Sequence, residues 1–211
     1  MVSPARGQRM TFSKRMFDIL FALALCVVLG PVILGLTLAL LVLQGRPLFY
    51  AGERMRSVDQ GFRLLKFRTM HVAADSGGVS GGDKQTRITP MGRFLRRTRL
   101  DELPQLWNIL RGDISFVGPR PPLRRYVDSH PDLYARVLAC RPGVTGLATV
   151  IFHRTEERLL APCKTPQETE RVYVQRCIPR KARLDLIYCQ RQSLALDMWL
   201  IWRTITGMFA R

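Results

Sequence analysis

The sequence lacks closely spaced cysteines and the common nucleotide-binding loops. Its five cysteines form no C-x-x-C motif, which excludes the usual zinc-ribbon and thiol-redox signatures. The three histidines show no metal-ligand spacing. Gly77-Gly78 and Gly81-Gly82 match neither a P-loop nor a dinucleotide fingerprint, because the required lysine and glycine spacings are missing. The odd number of scattered cysteines indicates reduced thiols in a cytoplasmic setting.

Acidic residues are scarce compared with basic ones. The 211 residues include 33 lysines and arginines and 16 acids, which gives a formal charge of +17. Such an excess implies an anionic partner. Because 47% of the residues are also hydrophobic, the composition favours a membrane surface over soluble nucleic-acid binding. We therefore expect no nucleic-acid partner.

A long uncharged stretch, Ile19 to Leu43, follows a basic N-terminus. It is too long for a secretory signal and lacks a small-residue cleavage site, but it is long enough to span a bilayer. Gly30-Pro31 at its middle predicts a bend, which leaves halves of about 12 residues, or roughly 18 Å each. Basic flanks prefer the cytoplasm. A re-entrant hairpin satisfies both flanks, and the alternative is a kinked spanning helix.

Two short strands are predicted after this stretch, Pro47–Ala51 and Phe62–Met70, around a turn at residues 59–61. In a strand, Lys66 and Arg68 project to the same face and form a paired cationic grip. The alternative is an exposed basic face. Residues 71–89 read as a loop, which we interpret as a mobile flap.

The central stretch, Thr98 to Asp113, carries two adjacent carboxylates where a helix should begin. Asp101 is a favoured N-cap, Pro104 is tolerated in a first turn, and Gly112 is placed to end the helix. A helix start favours an ionised carboxylate and attracts phosphate. Asp101, next to Glu102, is thus a candidate nucleophile or metal ligand. The alternative is an ordinary N-cap with solvated charges.

Arginines flank these carboxylates on both sides. Arg96 and Arg99 precede Asp101 and should also favour its ionised form. Arg120 lies between two prolines in a stiff loop, a setting that suits bidentate phosphate recognition. The alternative for Arg120 is a rigid turn with an incidental arginine.

The C-terminal half is predicted to be largely helical. Residues 141–147 form a turn leading to a short apolar strand, and 166–190 form a basic helix interrupted near Pro179. Helices are also predicted at Pro90–Leu100, Pro131–Ala139 and Leu194–Phe209. In the last of these, tryptophans beside arginines suit a bilayer interface, and an ordinary core helix is the alternative.

Several ordered segments together resemble the bacterial sugar transferases, the monotopic phosphoglycosyl transferases that start lipid-linked glycan assembly. The resemblance runs from about Lys14 to the C-terminus and suggests the short, single-domain form. The matching segments are Lys14–Asp18, Lys66–Met70, Arg87–Arg96, Leu100–Asp113, Gly118–Pro121 and Arg141–Gly146.

The resemblance implies a mostly helical α+β monotopic membrane protein with a small β-hairpin and interfacial amphipathic helices. Residues 1–45 would be a basic N-terminus and re-entrant helix-break-helix hairpin, and residues 46–211 the catalytic domain. The implied location is the cytoplasmic face of the bacterial inner membrane, in contact with its lipid. A homo-oligomer is compatible with the resemblance.

The implied reaction transfers sugar-1-phosphate from a UDP-sugar to polyprenyl phosphate, such as undecaprenyl phosphate, with Mg²⁺, and releases UMP. It starts exopolysaccharide, capsule, O-antigen or glycoprotein glycan assembly. By motif position, Asp101 attacks the β-phosphorus to form a covalent phosphosugar intermediate and is the metal ligand, and Glu102 supports it. The implied substrate-binding residues are Lys66, Arg68, Arg96 and Arg120.

The sequence departs from the family pattern in three places, one of which is the segment His153–Arg171, for which we have no physical account. Gly30 stands where members often have serine before the proline, and residues 148–153 differ from the usual continuation, so the sugar preference does not carry over. The main alternative function is a membrane-anchored basic protein that binds anionic lipid or nucleic acid without catalysis. Among enzymes, the alternative is direct displacement with Asp101 only holding metal.

Overall fold

The computed structural model describes residues 10–71 and 87–209. The chain is α+β and mostly helical, as the sequence predicts. The helices are α1 (Phe12–Gln44), α2 (Pro90–Thr98), α3 (Gln105–Arg111), α4 (Arg124–Ser129), α5 (Pro131–Val137), α6 (Leu147–Leu160), α7 (Pro166–Val172), α8 (Ile178–Gln190) and α9 (Leu194–Phe209). The strands are β1 (Phe49–Met55), β2 (Gly61–Phe67), β3 (Ser115–Val117) and β4 (Gly143–Thr145).

Helix α1 is the one helix in the described ranges that is long and apolar enough to cross a membrane. The Thr11 side chain caps its start by accepting from the Lys14 backbone N–H, and the helix ends before Gly45, whose φ is 63°. The helix continues through Pro31, so the predicted division into two helices is wrong, whereas the predicted bend at Gly30-Pro31 stays a prediction. The N–H that proline lacks removes one hydrogen bond to Val27 without ending the helix. The re-entrant hairpin stays a prediction.

Both ends of α1 contact the remainder of the chain. The Arg15 guanidinium donates to the carbonyls of Ile109 and Leu110 at 2.6 and 2.7 Å. At the other end, Arg68 donates to the carbonyl of Gln44 at 2.7 Å. Between these ends most large apolar side chains of α1 are exposed, with Val27 79% exposed. The helix thus carries an uncovered apolar surface while both of its ends are attached to the same domain.

A buried polar network fixes the start of α1. The Lys14 ammonium group pairs with Asp197 and donates to the Tyr188 hydroxyl at 3.2 Å. Tyr188 in turn donates to Asp197 at 2.6 Å. One turn further along α1, Asp18 accepts from the Ser115 hydroxyl at 3.1 Å. These bonds tie α1 to α8, α9 and β3.

The first two strands form the predicted hairpin, with bounds shifted by a few residues. Strands β1 and β2 are antiparallel, and Tyr50 lies opposite Lys66. Just beyond β2, Met70 pairs with Ile88 in an isolated bridge. Most of the predicted flap, residues 72–86, lies outside the described residues.

A parallel pair, β3 and β4, holds the loop that contains Arg120. A Cβ atom at Gly118 would lie 2.2 Å from the Arg141 carbonyl oxygen, and one at Gly146 would lie 2.2 Å from the Gly118 oxygen. Only glycine permits backbones to approach this closely. The two motifs that carry these glycines therefore pack directly against each other.

Strand β3 was not predicted, and the apolar strand predicted after residue 147 is wrong. That segment is helix α6, with Ala148 and Phe152 buried four residues apart on one helix face. Apolar residues recur in this segment at helical spacing. Burial of the face that they form favours a helix over a strand. The predicted basic helix at 166–190 is α7, a π-helical turn (Tyr173–Cys177) and α8.

Helix α9 has the predicted bounds and two distinct faces. Leu200 is fully buried in the core, and Asp197 is 1% exposed. On the other side, Trp199 and Trp202 are 47% and 65% exposed. The tryptophans are therefore not core residues, which favours the interface interpretation of this face.

Replacing Lys14 by methionine should strongly destabilise the fold, because Asp197 would stay buried without its cation. Breaking a buried ion pair in this way costs about 3–5 kcal/mol. We expect a clearly lower thermal unfolding midpoint in detergent for Lys14→Met and partial recovery in Lys14→Met/Asp197→Leu. The exposed Lys164→Met is the control, within about 0.5 kcal/mol of wild type. Equal midpoints for Lys14→Met and wild type would refute the role of this network.

Candidate active site

Asp101 and Glu102 lie in a short 3₁₀ turn, Leu100–Glu102, between α2 and α3. The prediction that Asp101 is the N-cap of an α-helix is therefore wrong. Helix α3 begins only at Gln105, and Pro104 takes the cap position. Arg99, with φ of 57°, ends α2 in the left-handed conformation and redirects the chain into this turn. The predicted end of the helix at Gly112 is confirmed, with φ of 82°.

One lysine contacts both carboxylates. The Lys66 ammonium group lies 2.8 Å from Glu102 Oε1 and 3.6 Å from Asp101 Oδ2. Arg120 approaches the same Glu102 oxygen at 3.8 Å from Nη2. The Asp101 and Glu102 side chains are only 9% and 12% exposed. Glu102, which is partly buried, is therefore more completely paired than the buried Asp101.

The two carboxyl groups differ in pKa. Burial opposes ionisation of Glu102, yet Lys66, Arg120 and Arg99 outweigh it and lower its pKa from 4.5 to about 2. For Asp101 burial prevails, so its pKa is raised, although Lys66 and Arg96 act in the opposite direction. The prediction that the local environment favours ionised Asp101 is therefore wrong in direction. The helix terminus on which that prediction rested is absent, and burial was not visible in the sequence.

Asn108 of α3, which lies in the Leu100–Asp113 segment without a predicted role, holds the strand that carries Lys66. Its side-chain oxygen accepts from the Leu65 backbone N–H at 2.9 Å, and its amide nitrogen donates to the Arg63 carbonyl at 2.8 Å. Asn108 is 1% exposed. These two bonds fix the position of Lys66 relative to the 3₁₀ turn.

Gly92 and Thr69 position Arg96. A Cβ atom at Gly92 would lie 2.1 Å from the Thr69 carbonyl oxygen, so α2 packs directly on the chain beyond β2. Arg96 Nε donates to the Thr69 hydroxyl at 2.8 Å. The positive charge of Arg96 acts on Asp101, which it reaches electrostatically without a direct bond.

Lys66 and Arg68, which were predicted to form a paired cationic grip, have different partners. Lys66 contacts the carboxylates, whereas Arg68 donates to the Gln44 and Gly45 carbonyls at 2.7 and 3.0 Å. Since β2 ends at Phe67, Arg68 is outside the strand whose alternation was expected to align the two. Arg68 thus caps the end of α1 in this structure, and its role toward substrate stays a prediction.

The site offers few metal ligands of its own. No group of three histidine, cysteine or acidic side chains that could hold a metal ion occurs in residues 10–71 and 87–209. Mg²⁺ is often held by one or two carboxylates together with substrate phosphates and water. Asp101, the less fully paired carboxylate, fits that limited role.

Replacing Lys66 by methionine should destabilise the fold above pH 4.5. We expect a loss of roughly 1–3 kcal/mol, below the value for a fully buried pair because Lys66 is 22% exposed. The pKa of Glu102 is lowered from 4.5 to about 2 in the folded protein. The contribution of ionised Glu102 to the stability of the fold is therefore complete above pH 4.5 and is lost as pH falls from 4.5 toward 2. Unfolding curves of wild type and Lys66→Met should therefore converge on acidification, with Lys66→Arg as the charge-retaining control. A pH-independent difference would contradict this ion pair.

The sequence profile of the bacterial sugar transferases matches residues 9–211. UDP-glucose:undecaprenyl-phosphate glucose-1-phosphate transferase of Caulobacter vibrioides is 34% identical over 200 residues, covering 92% of this chain and 69% of that protein. The exopolysaccharide production protein ExoY of Sinorhizobium fredii is 36% identical over 212 residues, covering 93% of this chain and 85% of that protein.

Longer relatives match as well. UDP-glucose:undecaprenyl-phosphate glucose-1-phosphate transferase of Klebsiella pneumoniae is 30% identical over 211 residues, covering 96% of this chain and 41% of that protein. The family profile likewise extends over nearly the whole chain, including both carboxylates and the elements that position them. The chain therefore belongs to the bacterial sugar transferase family.

Proposed function

We propose that the protein transfers sugar-1-phosphate from a UDP-sugar to undecaprenyl phosphate and releases UMP. The observation that carries this proposal is the pair of carboxylates formed by buried Asp101 and partly buried Glu102, which contact Lys66 and, at Glu102, Arg120. Phosphate transfer needs a nucleophile surrounded by groups that neutralise phosphate charge. Two relatives are named as transferases from UDP-glucose to undecaprenyl phosphate, which supports a UDP-sugar and undecaprenyl phosphate as substrates.

In the proposed first step, an Asp101 oxygen attacks the β-phosphorus of the UDP-sugar. A bond forms between that oxygen and phosphorus, and the bond from phosphorus to the bridging oxygen breaks. The electron pair stays on the bridging oxygen, which leaves with UMP. The phosphosugar remains on Asp101 until the phosphate of undecaprenyl phosphate attacks the same phosphorus and regenerates the carboxylate. Covalent catalysis thus divides one transfer into two displacements.

The unequal environments of the carboxylates support this assignment of roles. Glu102 is occupied by Lys66 and Arg120, so its lone pairs are less available for attack. Asp101 is 3.6 Å from Lys66 and has the raised pKa, which makes it the more basic carboxylate. We assign Glu102 the role of holding Lys66 and Arg120 where the phosphates bind.

The remaining basic residues would bind phosphate oxygens. The Arg120 side chain is 44% exposed and can therefore reach a ligand, and Arg96 acts on Asp101 through its charge. Mg²⁺, when bound at Asp101 with the diphosphate, supplies further neutralisation of phosphate charge. Arg68 is the weakest candidate, since α1 already engages it.

We further propose that the protein is monotopic and lies on the cytoplasmic face of the bacterial inner membrane, where it serves exopolysaccharide assembly. Residues 1–45 would enter the bilayer and return, and residues 46–211 would form the catalytic domain. Attachment of both ends of α1 to the same domain supports this arrangement, as do its exposed apolar side chains. The exposed tryptophans of α9 would lie at the same interface.

Asp101→Asn should abolish the first half-reaction. Wild-type enzyme given UDP-sugar and Mg²⁺ without lipid should release stoichiometric UMP and retain the sugar phosphate as an adduct visible in the intact-protein mass. The amide side chain of the variant lacks the anionic oxygen that attacks, so both signals should vanish. Glu102→Gln is the matched control and should slow UMP release without preventing the adduct. Each measurement should be repeated over a panel of UDP-sugars.

If wild-type enzyme releases UMP only when undecaprenyl phosphate is added and forms no adduct, direct displacement replaces this mechanism. Absence of UMP release with every UDP-sugar and lipid would overturn the proposed activity itself.

Single cysteines at Met10 and Asp59 should both be labelled from the cytoplasmic side. The test uses a background that lacks the five native cysteines, in which wild-type UMP release confirms folding. An impermeant thiol reagent should reach both positions in inside-out vesicles and neither in intact spheroplasts, because the basic flanks of α1 share one side. Opposite labelling of the two positions would establish a spanning helix.

A further inference from the structure

Arg54 of β1 lies on the face of the hairpin that meets the carboxylates. In the β1–β2 register Tyr50 is opposite Lys66, and Arg54 is opposite Phe62. Opposed residues in an antiparallel pair, and residues two and four apart in one strand, project to the same face. Arg54 therefore shares a face with Lys66, whose ammonium group donates to Glu102 at 2.8 Å.

The edge of β1 next to Arg54 contacts the loop that carries Arg120. The Met55 backbone N–H donates to the Pro122 carbonyl at 3.0 Å. After burial, the positive charge of Arg120 is the next largest influence that lowers the pKa of Arg54. The two guanidinium groups are thus close enough to repel each other electrostatically where β1 meets this loop.

Arg54 has no carboxylate partner in the part of the chain that the structure describes. Within residues 10–71 and 87–209 it makes no ion pair. Its guanidinium donates to the Glu53 backbone carbonyl at 2.7 Å, while the Glu53 carboxylate pairs with Arg124 at 2.9 Å. A half-buried cation beside a second cation is unfavourable without an anion. Phosphate would satisfy both guanidinium groups through charge-assisted hydrogen bonds.

We propose that Arg54 binds the α-phosphate of the UDP-sugar, the phosphate that departs as part of UMP. This rests on the proposed function. When Asp101 attacks the β-phosphorus, the electron pair of the broken bond stays on the bridging oxygen, so the α-phosphate gains negative charge. Arg54 stabilises that charge from the β1 side, and Arg120 contacts both phosphates from its loop. The bound lipid phosphate of the second displacement does not require Arg54, because UMP has already left.

Binding of UMP to the detergent-solubilised full-length protein tests this inference by titration calorimetry. We expect Arg54→Gln to weaken UMP binding at least tenfold and Arg54→Lys to give an intermediate loss. Arg63→Gln is the matched control and should stay within twofold of wild type, since Arg63 projects from the opposite face, across from Glu53. Steady-state rates of Arg54→Gln with the best UDP-sugar should show a lower kcat/KM for that substrate and an unchanged kcat/KM for undecaprenyl phosphate.

The outcomes separate the inference from the proposed function. Wild-type protein that binds no UMP would overturn both. Equal UMP affinity for wild type and Arg54→Gln would overturn the role of Arg54 alone. A third outcome would be a lower unfolding midpoint and an equal loss of kcat/KM for both substrates in Arg54→Gln and in Arg54→Lys. Arg54 would then be a structural residue, and the inference would also be overturned.

Discussion

Two carboxylates that are neighbours in the sequence, buried Asp101 and partly buried Glu102, contact the same ammonium group, and the site depends on the difference between these two contacts. Lys66 lies 2.8 Å from Glu102 and 3.6 Å from Asp101, and Arg120 adds its charge on the Glu102 side. Glu102 consequently has a pKa of about 2, whereas burial raises that of Asp101. Adjacent residues of similar chemistry thereby acquire different properties, one as a fixed anion that organises cations and the other as the more basic carboxylate.

That inequality requires several elements to be held in register. Asn108 fixes the strand that carries Lys66, and close glycine contacts fix the loop that carries Arg120. Helix α1 is joined to the same framework at both ends, so the apolar segment and the carboxylates form one structural unit. For an enzyme whose acceptor is a lipid, this joint would set the distance between the bilayer and the reacting phosphorus, and errors of about 1 Å in such positioning are costly.

The sequence predicts well what depends on local pattern and less well what depends on burial. The hairpin and α9 follow from alternation and helical spacing, and the family motifs identify Asp101 and Glu102. Strand β3 is three residues long and exists only because β4 pairs with it, so no local signal marks it. The raised pKa of Asp101 could not be predicted, since it arises from burial by distant segments. The position of Arg54 could not be predicted either, because only the strand register places it on the same face of the hairpin as Lys66.

The most direct test of the account identifies which carboxylate carries the phosphosugar. The wild-type enzyme, incubated with its UDP-sugar and Mg²⁺ and quenched with hydroxylamine, should yield a hydroxamate that peptide mass spectrometry can assign to one side chain. The account predicts the hydroxamate on Asp101 and none on Glu102. A hydroxamate on Glu102 would contradict the assignment of roles that the unequal pairing with Lys66 supports.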